Sequence, residues 1–187
     1  MMRSRLVFPA VVVLFASPAG AAHWNVDYAK SRIGFTVQWS NEPFAGAFKQ
    51  WHADIDFDPA DLAHAHASVT VDLGSEASDE ADFDNGLKGA EGFETSRFPT
   101  ARFAATRFSR KSGDSYVAQG TLTIRGVTRD ISFPFTLAIS GANAHMTGAA
   151  RVMRTDFDVG RGEWAAPTPV SHEVIVTLDV SAVRQGS

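Results

Sequence analysis

Apolar and polar residues alternate along most of the chain, and this period of two restricts its fold more than any other feature. From Ser31 to Trp39 the apolar side chains fall at every second position, so the segment has one oily face and one polar face. A β-strand places successive side chains on opposite faces, whereas a helix requires spacings of three and four residues. The alternation therefore predicts half-buried β-strands.

The same pattern recurs often enough to predict eight strands. Regular alternation covers 31–39, 68–73, 116–124, 131–139 and 173–180, and less regular strands are predicted at 44–57, 101–108 and 143–153. Short turns such as Arg125-Gly126 and Ser140-Gly141-Ala142 separate consecutive strands, which is typical of an antiparallel up-and-down sheet. Because closure of such a sheet removes its exposed edges, we predict an all-β, eight-stranded antiparallel barrel.

One stretch departs from the β pattern. Between Asp79 and Phe93 the first residues are acidic, Phe83 and Leu87 lie four apart, and several glycines interrupt the segment. Acidic residues in a first turn and apolar residues four apart indicate a helix, while the glycines keep it short. We therefore predict one or two short helices that lie over one end of the barrel.

The first 22 residues have the three parts of a secretory signal. Arg3 and Arg5 precede an apolar run at 6–15, and the small residues Ala19-x-Ala21 or Gly20-x-Ala22 satisfy the cleavage rule. The run is too short to span a bilayer, and no later segment is long and apolar enough to do so. We therefore predict a signal peptide at 1–22 and one soluble, periplasmic domain at 23–187.

Charge and cysteine content exclude several classes of function. The chain has 17 lysines and arginines against 21 aspartates and glutamates, and two of the arginines lie in the leader. Nucleic acid is therefore not an expected partner, because phosphate binding needs a concentrated positive surface. The chain has no cysteine, which excludes disulfides, thiol nucleophiles and thiolate metal sites.

The common catalytic motifs are missing, including the serine-hydrolase elbow, the zinc-protease helix and the nucleotide-binding glycine loops. We therefore predict neither an enzyme nor a cofactor. Asp54, Asp56 and Asp58 are spaced like the start of a calcium loop, but Pro59 stands where that loop needs glycine. We interpret these aspartates as a solvated acidic face.

Two further residues, His64 and His66, are of a type that binds metal ions. His64 and His66 are spaced to lie side by side on a strand, as a metal site requires. No third ligand is recognisable from their spacing to other residues. We interpret them as structural or surface histidines and predict no metal site.

The aromatic content indicates what the barrel encloses. The chain has 14 phenylalanines and 4 tryptophans, many at inward-facing positions. A small barrel either fills its interior with such side chains or leaves room for one ligand. For any single ring the filled core is the simpler interpretation, but an aromatic interior with helices over its mouth favours a cavity for an apolar ligand.

Several segments resemble YceI-like proteins, in order and over essentially the whole chain after residue 23. The matching segments are WNVD at 24–27, SRIGFTV at 31–37, GAF at 46–48, IDFDP at 55–59, FPTARF at 98–103, GTLTIRGVTR at 120–129 and RTDFDVG at 154–160. The resemblance implies a lipocalin-like barrel that binds polyisoprenoids, isoprenoid quinones or related long-chain amphiphiles in the bacterial periplasm. It also implies an association with membrane b-type cytochromes.

Two functions therefore remain under consideration. The first is a periplasmic binding or carrier protein that holds a long-chain apolar amphiphile, such as a polyisoprenoid or isoprenoid quinone, inside the barrel. The alternative is a soluble interaction module that works with a membrane b-type cytochrome and retains no ligand of its own. The sequence leaves open whether the protein forms a homodimer.

For the carrier function we predict ligand-binding residues from the inward-facing positions and from the resemblance. The predicted apolar lining is Ile33, Phe35, Val37, Trp39, Phe48, Trp51, Phe83, Leu87, Phe93 and Phe103. Arg125 and Arg154 are added because either could pair with a surface acid or meet a ligand head group near the mouth.

Overall fold

The computed structural model describes residues 21–186, so the predicted signal peptide lies outside the described residues except for Ala21 and Ala22. Within 21–186 one antiparallel sheet contains eleven strands: β1 (Trp24–Val26), β2 (Arg32–Trp39), β3 (Glu42–Phe48), β4 (Trp51–Asp56), β5 (His66–Asp72), β6 (Glu76–Ala77), β7 (Thr100–Ser112), β8 (Ser115–Ile124), β9 (Val127–Ser140), β10 (Asn143–Met153) and β11 (Val170–Arg184). The α-helix α1 covers Ala81–Lys88. Short 3-10 helices cover Tyr28–Lys30, Leu73–Ser75, Arg154–Phe157 and Gly162–Trp164.

The strands follow the alternation in the sequence. In β2 the side chains of Ile33, Phe35 and Val37 are buried, whereas Arg32 and Gln38 are exposed. The all-β barrel fold is therefore confirmed, with more strands than the eight predicted. The predicted strand at 44–57 is two strands, because the chain leaves the sheet at residues 49–50, and β1 and β6 are too short to show an alternation.

The sheet curls until the N-terminal segment of the chain approaches β4, the strand at one end of the sheet. The strand order is β4-β5-β7-β8-β9-β10-β11-β2-β3-β6, and β1 pairs with β11 beyond the end of β2. The segment before β1 then meets β4, since His23 pairs with Asp56 and the Phe57 N–H donates to the Ala22 carbonyl at 2.9 Å. We call this meeting of the N-terminal segment with β4 the seam of the barrel.

A turn and a proline mark the places where two strand ladders end. Arg125 and Gly126 form the predicted two-residue turn between β8 and β9, with φ of 51° and 76°, as a type I′ turn requires. Pro134 pairs with Val117 of β8 on one side and lies just beyond the Phe135–Gly148 pair that ends the β9–β10 ladder on the other. Proline has no N–H to donate, so it is tolerated where a ladder ends.

The core divides into two clusters, one at each end of the barrel. At one end the Phe57 ring packs against Phe108, Tyr116 and Phe135, with centroid separations of 5.4 to 6.0 Å, and these four rings form what we call the plug. At the other end α1 and the loops around it cover the strands. Within the described residues no helix has both the length and the apolar character needed to cross a bilayer.

Candidate ligand-binding site

Three cavities follow one another through the interior of the barrel. The cavity beneath α1 has a volume of about 150 Å³, the middle one about 90 Å³ and the one next to the plug about 100 Å³. The first and second share lining residues such as Ala101 and Val152, and the second and third share Phe103 and Phe133. Because neighbouring cavities share lining residues, they lie in a row along the interior, and we call this row the tunnel.

The tunnel wall is almost entirely apolar. The cavity beneath α1 is lined by Phe, Leu, Ile, Val, Ala and Trp side chains, apart from Gly160 and the single charged residue Arg154. An apolar cavity of this volume stays dry and can hold a molecule of the size of benzene. A row of three such cavities is suited to a flexible hydrocarbon chain.

Most of the predicted lining residues border the tunnel. The cavity beneath α1 is bordered by Ile33, Phe35, Val37, Phe48, Phe83, Leu87, Phe93 and Arg154. Phe103 borders the other two cavities. Trp39 and Trp51 border none of the three: Trp39 packs on the edge of Phe83, and Trp51 packs on the edge of Tyr28. The role of all these residues in ligand binding stays a prediction.

The helix α1 brings two of the lining side chains over the end of the barrel. Asp82 and Asp84 lie in its first turn and Lys88 in its last, which is the arrangement that the helix dipole favours. Phe83 and Leu87, four residues apart, face the tunnel and are both buried. The helix is amphipathic, so burial of this one face holds it on the barrel.

An aromatic stack connects α1 to the loop before β11. The ring of Phe83 stacks on Trp164, with a centroid separation of 5.8 Å and an angle of 13° between the planes. The contact depends on Gly86, since a Cβ at that position would lie 2.7 Å from Cζ2 of Trp164. Glycine inside a helix costs stability relative to alanine. Here it permits the loop to close over α1, and we call α1, residues 89–98 and residues 154–171 together the cap.

Arg154 holds the loop of the cap that contains Trp164. Its guanidinium is buried and donates all five of its N–H groups to main-chain carbonyls at 2.9 to 3.3 Å, those of Val159, Gly160, Ala166, Val170 and Ser171. Burial lowers the pKa of this guanidinium. Since five is the full number of arginine donors, none is left for a ligand head group. Arg154 therefore acts on the shape of the tunnel mouth.

Arg125 holds the other loop of the cap. From the β8–β9 turn its guanidinium donates to the carbonyls of Ala90 and Gly92 and to the Glu94 carboxylate, the last at 2.8 Å. It borders none of the three cavities. The two loops are themselves joined, because the Glu91 carbonyl accepts N–H groups from Gly160 and Arg161. Both arginines thus fix the cap by binding main-chain oxygens.

The structure also buries an acid that no sequence pattern singled out. Glu76 in β6 is only 1% exposed, and neither of its carboxylate oxygens has a hydrogen-bond partner among the described residues. The Glu76 carboxylate faces Gly46, together with the ring of Phe35. A Cβ added at Gly46 would lie 3.0 Å from Oε1 of Glu76. Burial and the nearby Asp84 carboxylate raise the pKa of Glu76 to about 7. A lone glutamate between Ser75 and Ala77 has the appearance of a surface residue, which is why sequence reasoning missed it.

Comparison with known proteins gives consistent matches along the chain. The sequence profile of the YceI-like domain matches residues 24–182. A UPF0312 protein of Photorhabdus laumondii is 27% identical over 183 residues, covering 93% of each chain. The protein YceI of Salmonella newport is 26% identical over 195 residues, covering 99% of this chain and all of the relative.

Among the solved structures that have the same fold as this chain are two that cover most of its length. Burkholderia cenocepacia BcnA superposes with a TM-score of 0.82 at 31% identity, over 85% of this chain and all of BcnA. A polyisoprenoid-binding domain from Saccharophagus degradans superposes with a TM-score of 0.69 at 14% identity, over 88% of this chain and 99% of that domain. At 14% identity the second likeness concerns the fold.

We predict that Arg154→Lys destabilises the protein by about 2–6 kcal/mol. Lysine has three donors, so at least two buried carbonyls lose their partners, at about 1–3 kcal/mol each. The measurement is the free energy of unfolding in urea. Arg151→Lys is the matched control, because Arg151 lies three residues earlier, on β10, with an exposed side chain. Equal, small effects of both substitutions would contradict the role given to Arg154.

We predict that Glu76→Gln removes a pH dependence of stability. With its pKa raised to about 7, the folded protein keeps a proton on Glu76 that the unfolded chain releases near its ordinary value of 4.5. Stability is therefore full below pH 4.5 and falls as the pH rises to about 7, by on the order of 3 kcal/mol.

The measurement is urea unfolding at pH 5 and pH 8 for the wild type, Glu76→Gln and the control Glu42→Gln, an exposed strand position. Glu76→Gln should be more stable than the wild type at pH 8 and lose most of the difference between the two pH values. The control should keep that difference. A difference that survives Glu76→Gln in full would show that the carboxyl is ionised in the folded protein at pH 5.

Proposed function

The chain belongs to the YceI-like domain family, and from this premise we propose that it binds and carries a long-chain apolar amphiphile, a polyisoprenoid or isoprenoid quinone, inside its barrel. The observation that carries the proposal is the tunnel, with its three apolar cavities in a row between cap and plug. The polyisoprenoid binding attributed to the Saccharophagus degradans domain of the same fold supports the choice of ligand class.

The energetics of the tunnel favour recognition by the hydrocarbon chain. Burial of one CH₂ group contributes about 0.8 kcal/mol, so a five-carbon isoprenoid unit contributes roughly 3 to 4 kcal/mol. Association costs about 4 to 15 kcal/mol in lost freedom, so two or three buried units exceed the lower end of that cost. Affinity should therefore rise with the number of units that the tunnel accepts.

The polar groups of the tunnel contribute little to recognition of a head group. Arg154 is the one charged side chain on the wall beneath α1, and its five donors are held by carbonyls of the cap. In the described cavities Arg102 and Arg154 are the only titratable residues on the wall. General acid–base chemistry needs two suitable groups close together, so we propose a binding protein rather than an enzyme.

We also propose export to the periplasm, with cleavage after Ala21. The carbonyl of Ala22 accepts the Phe57 N–H at 2.9 Å and so takes part in the seam of the barrel. Of the two cleavage sites that satisfy the small-residue rule, the one after Ala21 leaves this carbonyl in the folded domain.

The cleavage site is tested by the intact mass of protein released from the envelope of its native host. The expected mass corresponds to residues 22–187. A mass that still includes residues 1–21 in the released protein would contradict the proposed cleavage, and protein found only in the cytoplasm would contradict export.

The ligand proposal is tested by mass spectrometry of an organic extract of protein purified from its native host. We predict a molecule with a long isoprenoid chain in the wild type. Ala101→Phe places a large ring where the first two cavities meet and should exclude at least two CH₂ groups, which corresponds to about tenfold weaker binding. Retained ligand per mole of protein should fall accordingly.

The matched control is Ala138→Phe, which adds the same ring at an exposed strand position. It should retain as much ligand as the wild type, and thermal melting checks that both variants are folded. A folded Ala101→Phe protein with undiminished ligand would contradict binding in the tunnel. A wild-type protein without any apolar ligand would instead support the interaction module.

A further inference from the structure

Two histidines and two aspartates meet at the seam, on the opposite side of the barrel wall from the tunnel. Asp54 and Asp56 lie two residues apart on β4 and alternate with Ala53 and Ile55, which face inward. His66, at the start of β5, is the register partner of Asp56. His23, in the N-terminal segment, forms the bridge to Asp56 that closes the seam. Three separate segments thus bring their side chains to one place.

Asp56 lies at the centre of this group, which we call the seam cluster. Its Oδ1 is 2.9 Å from Nδ1 of His23, and its Oδ2 is 2.8 Å from Nε2 of His66. Asp54 Oδ1 is 3.7 Å from the same nitrogen of His23. One ligand atom each from His23, Asp54 and Asp56 therefore fall within 4.8 Å of one another.

The charge of the seam cluster favours a cation. Two carboxylates lie side by side, and among residues 21–186 their only ion-pair partners within 4.0 Å are the two imidazoles. Among the described residues no lysine or arginine, the usual partners of surface carboxylates, forms an ion pair with Asp54 or Asp56. With both imidazoles neutral the cluster carries two negative charges, which a divalent cation would balance.

We propose that the seam cluster is a binding site for a divalent transition-metal ion of the zinc class. Zinc takes imidazole nitrogens and carboxylate oxygens at about 2.0–2.2 Å in tetrahedral geometry, which places ligand atoms about 3.4 Å apart. The separations of His23 Nδ1 from Asp56 Oδ1 and from Asp54 Oδ1, 2.9 and 3.7 Å, bracket that value. His23 Nδ1, Asp54 Oδ1 and Asp56 Oδ1 supply three ligands, which leaves a fourth position for water.

His66 supports the seam cluster from beside it. Its Nε2 is 2.8 Å from Oδ2 of Asp56, the oxygen of that carboxylate that is not in the three-ligand group. Carboxylates that bind a metal are ordinarily held by a hydrogen-bonding partner of this kind. The histidine–aspartate pairs His64–Asp61 and His145–Asp179 are also in contact, at 2.8 and 2.7 Å, but neither belongs to a three-ligand group within the described residues.

A metal at the seam would join the N-terminal segment to β4. The other described links between them are hydrogen bonds and ring contacts, among them the His23–Asp56 pairing, the Phe57–Ala22 bond, the bond from Trp24 Nε1 to the Phe57 carbonyl and the bond from the Ala53 N–H to Tyr28 Oη. Because an ion that binds only the folded protein stabilises it, zinc should raise the melting temperature. The site is separate from the tunnel and does not depend on the proposed function.

The test is isothermal titration of ZnCl₂ into tag-free protein, together with thermal melting with and without zinc. We expect one zinc per chain and a zinc-dependent rise in melting temperature. His23→Ala and Asp56→Asn should each weaken zinc binding by about 100-fold or more, since loss of even an outer-shell partner costs 10- to 100-fold. Asp54→Asn, at an exposed position, repeats the test where the fold is least disturbed.

His64→Ala and His145→Ala are the matched controls, because each removes a surface histidine that contacts one aspartate. Both should bind zinc as the wild type does. The proposal is overturned if the wild type shows no saturable binding, if folded Asp56→Asn or Asp54→Asn binds as tightly as the wild type, or if the controls lose as much affinity as the cluster variants.

Discussion

The structure depends on the alternation of side chains along strands that close into a barrel. Once the sheet curls, every second residue must face an interior, and these residues are apolar on all the long strands. Their volume does not fill that interior, so three neighbouring cavities remain between the cap and the plug. Packing thus stabilises both ends of the barrel and leaves its middle available for a chain-like ligand.

The loops of the cap are held in place by hydrogen bonds to their main-chain oxygens. Residues 89–98 and 154–171 have little regular structure, so many of their carbonyls have no strand or helix partner and must be satisfied in another way. Arg125 and Arg154 supply those donors from the ends of β8 and β10. Both arginines order the loops of the cap, and the contact with a ligand head group that was expected of them from the sequence stays a prediction.

The sequence predicted what is local and missed what is long-range. The strand pattern and the Arg125-Gly126 turn follow from neighbouring residues, and they are confirmed. The break at residues 49–50 was not predicted, because the alternation between residues 44 and 57 is irregular and gives no clear strand end. The spacing of Asp54, Asp56, His64 and His66 could not reveal that His23 meets Asp56 across the seam.

The five hydrogen bonds from Arg154 to carbonyls make its half of the cap insensitive to salt and to pH. Mobile ions weaken attraction between exposed charges, but they have little access to a buried cation that is held by neutral dipoles. None of the described partners of Arg154 is a carboxylate that protonation could remove. Changes in ionic strength or acidity should therefore leave this half of the cap in place, and its opening would require displacement of the loop itself.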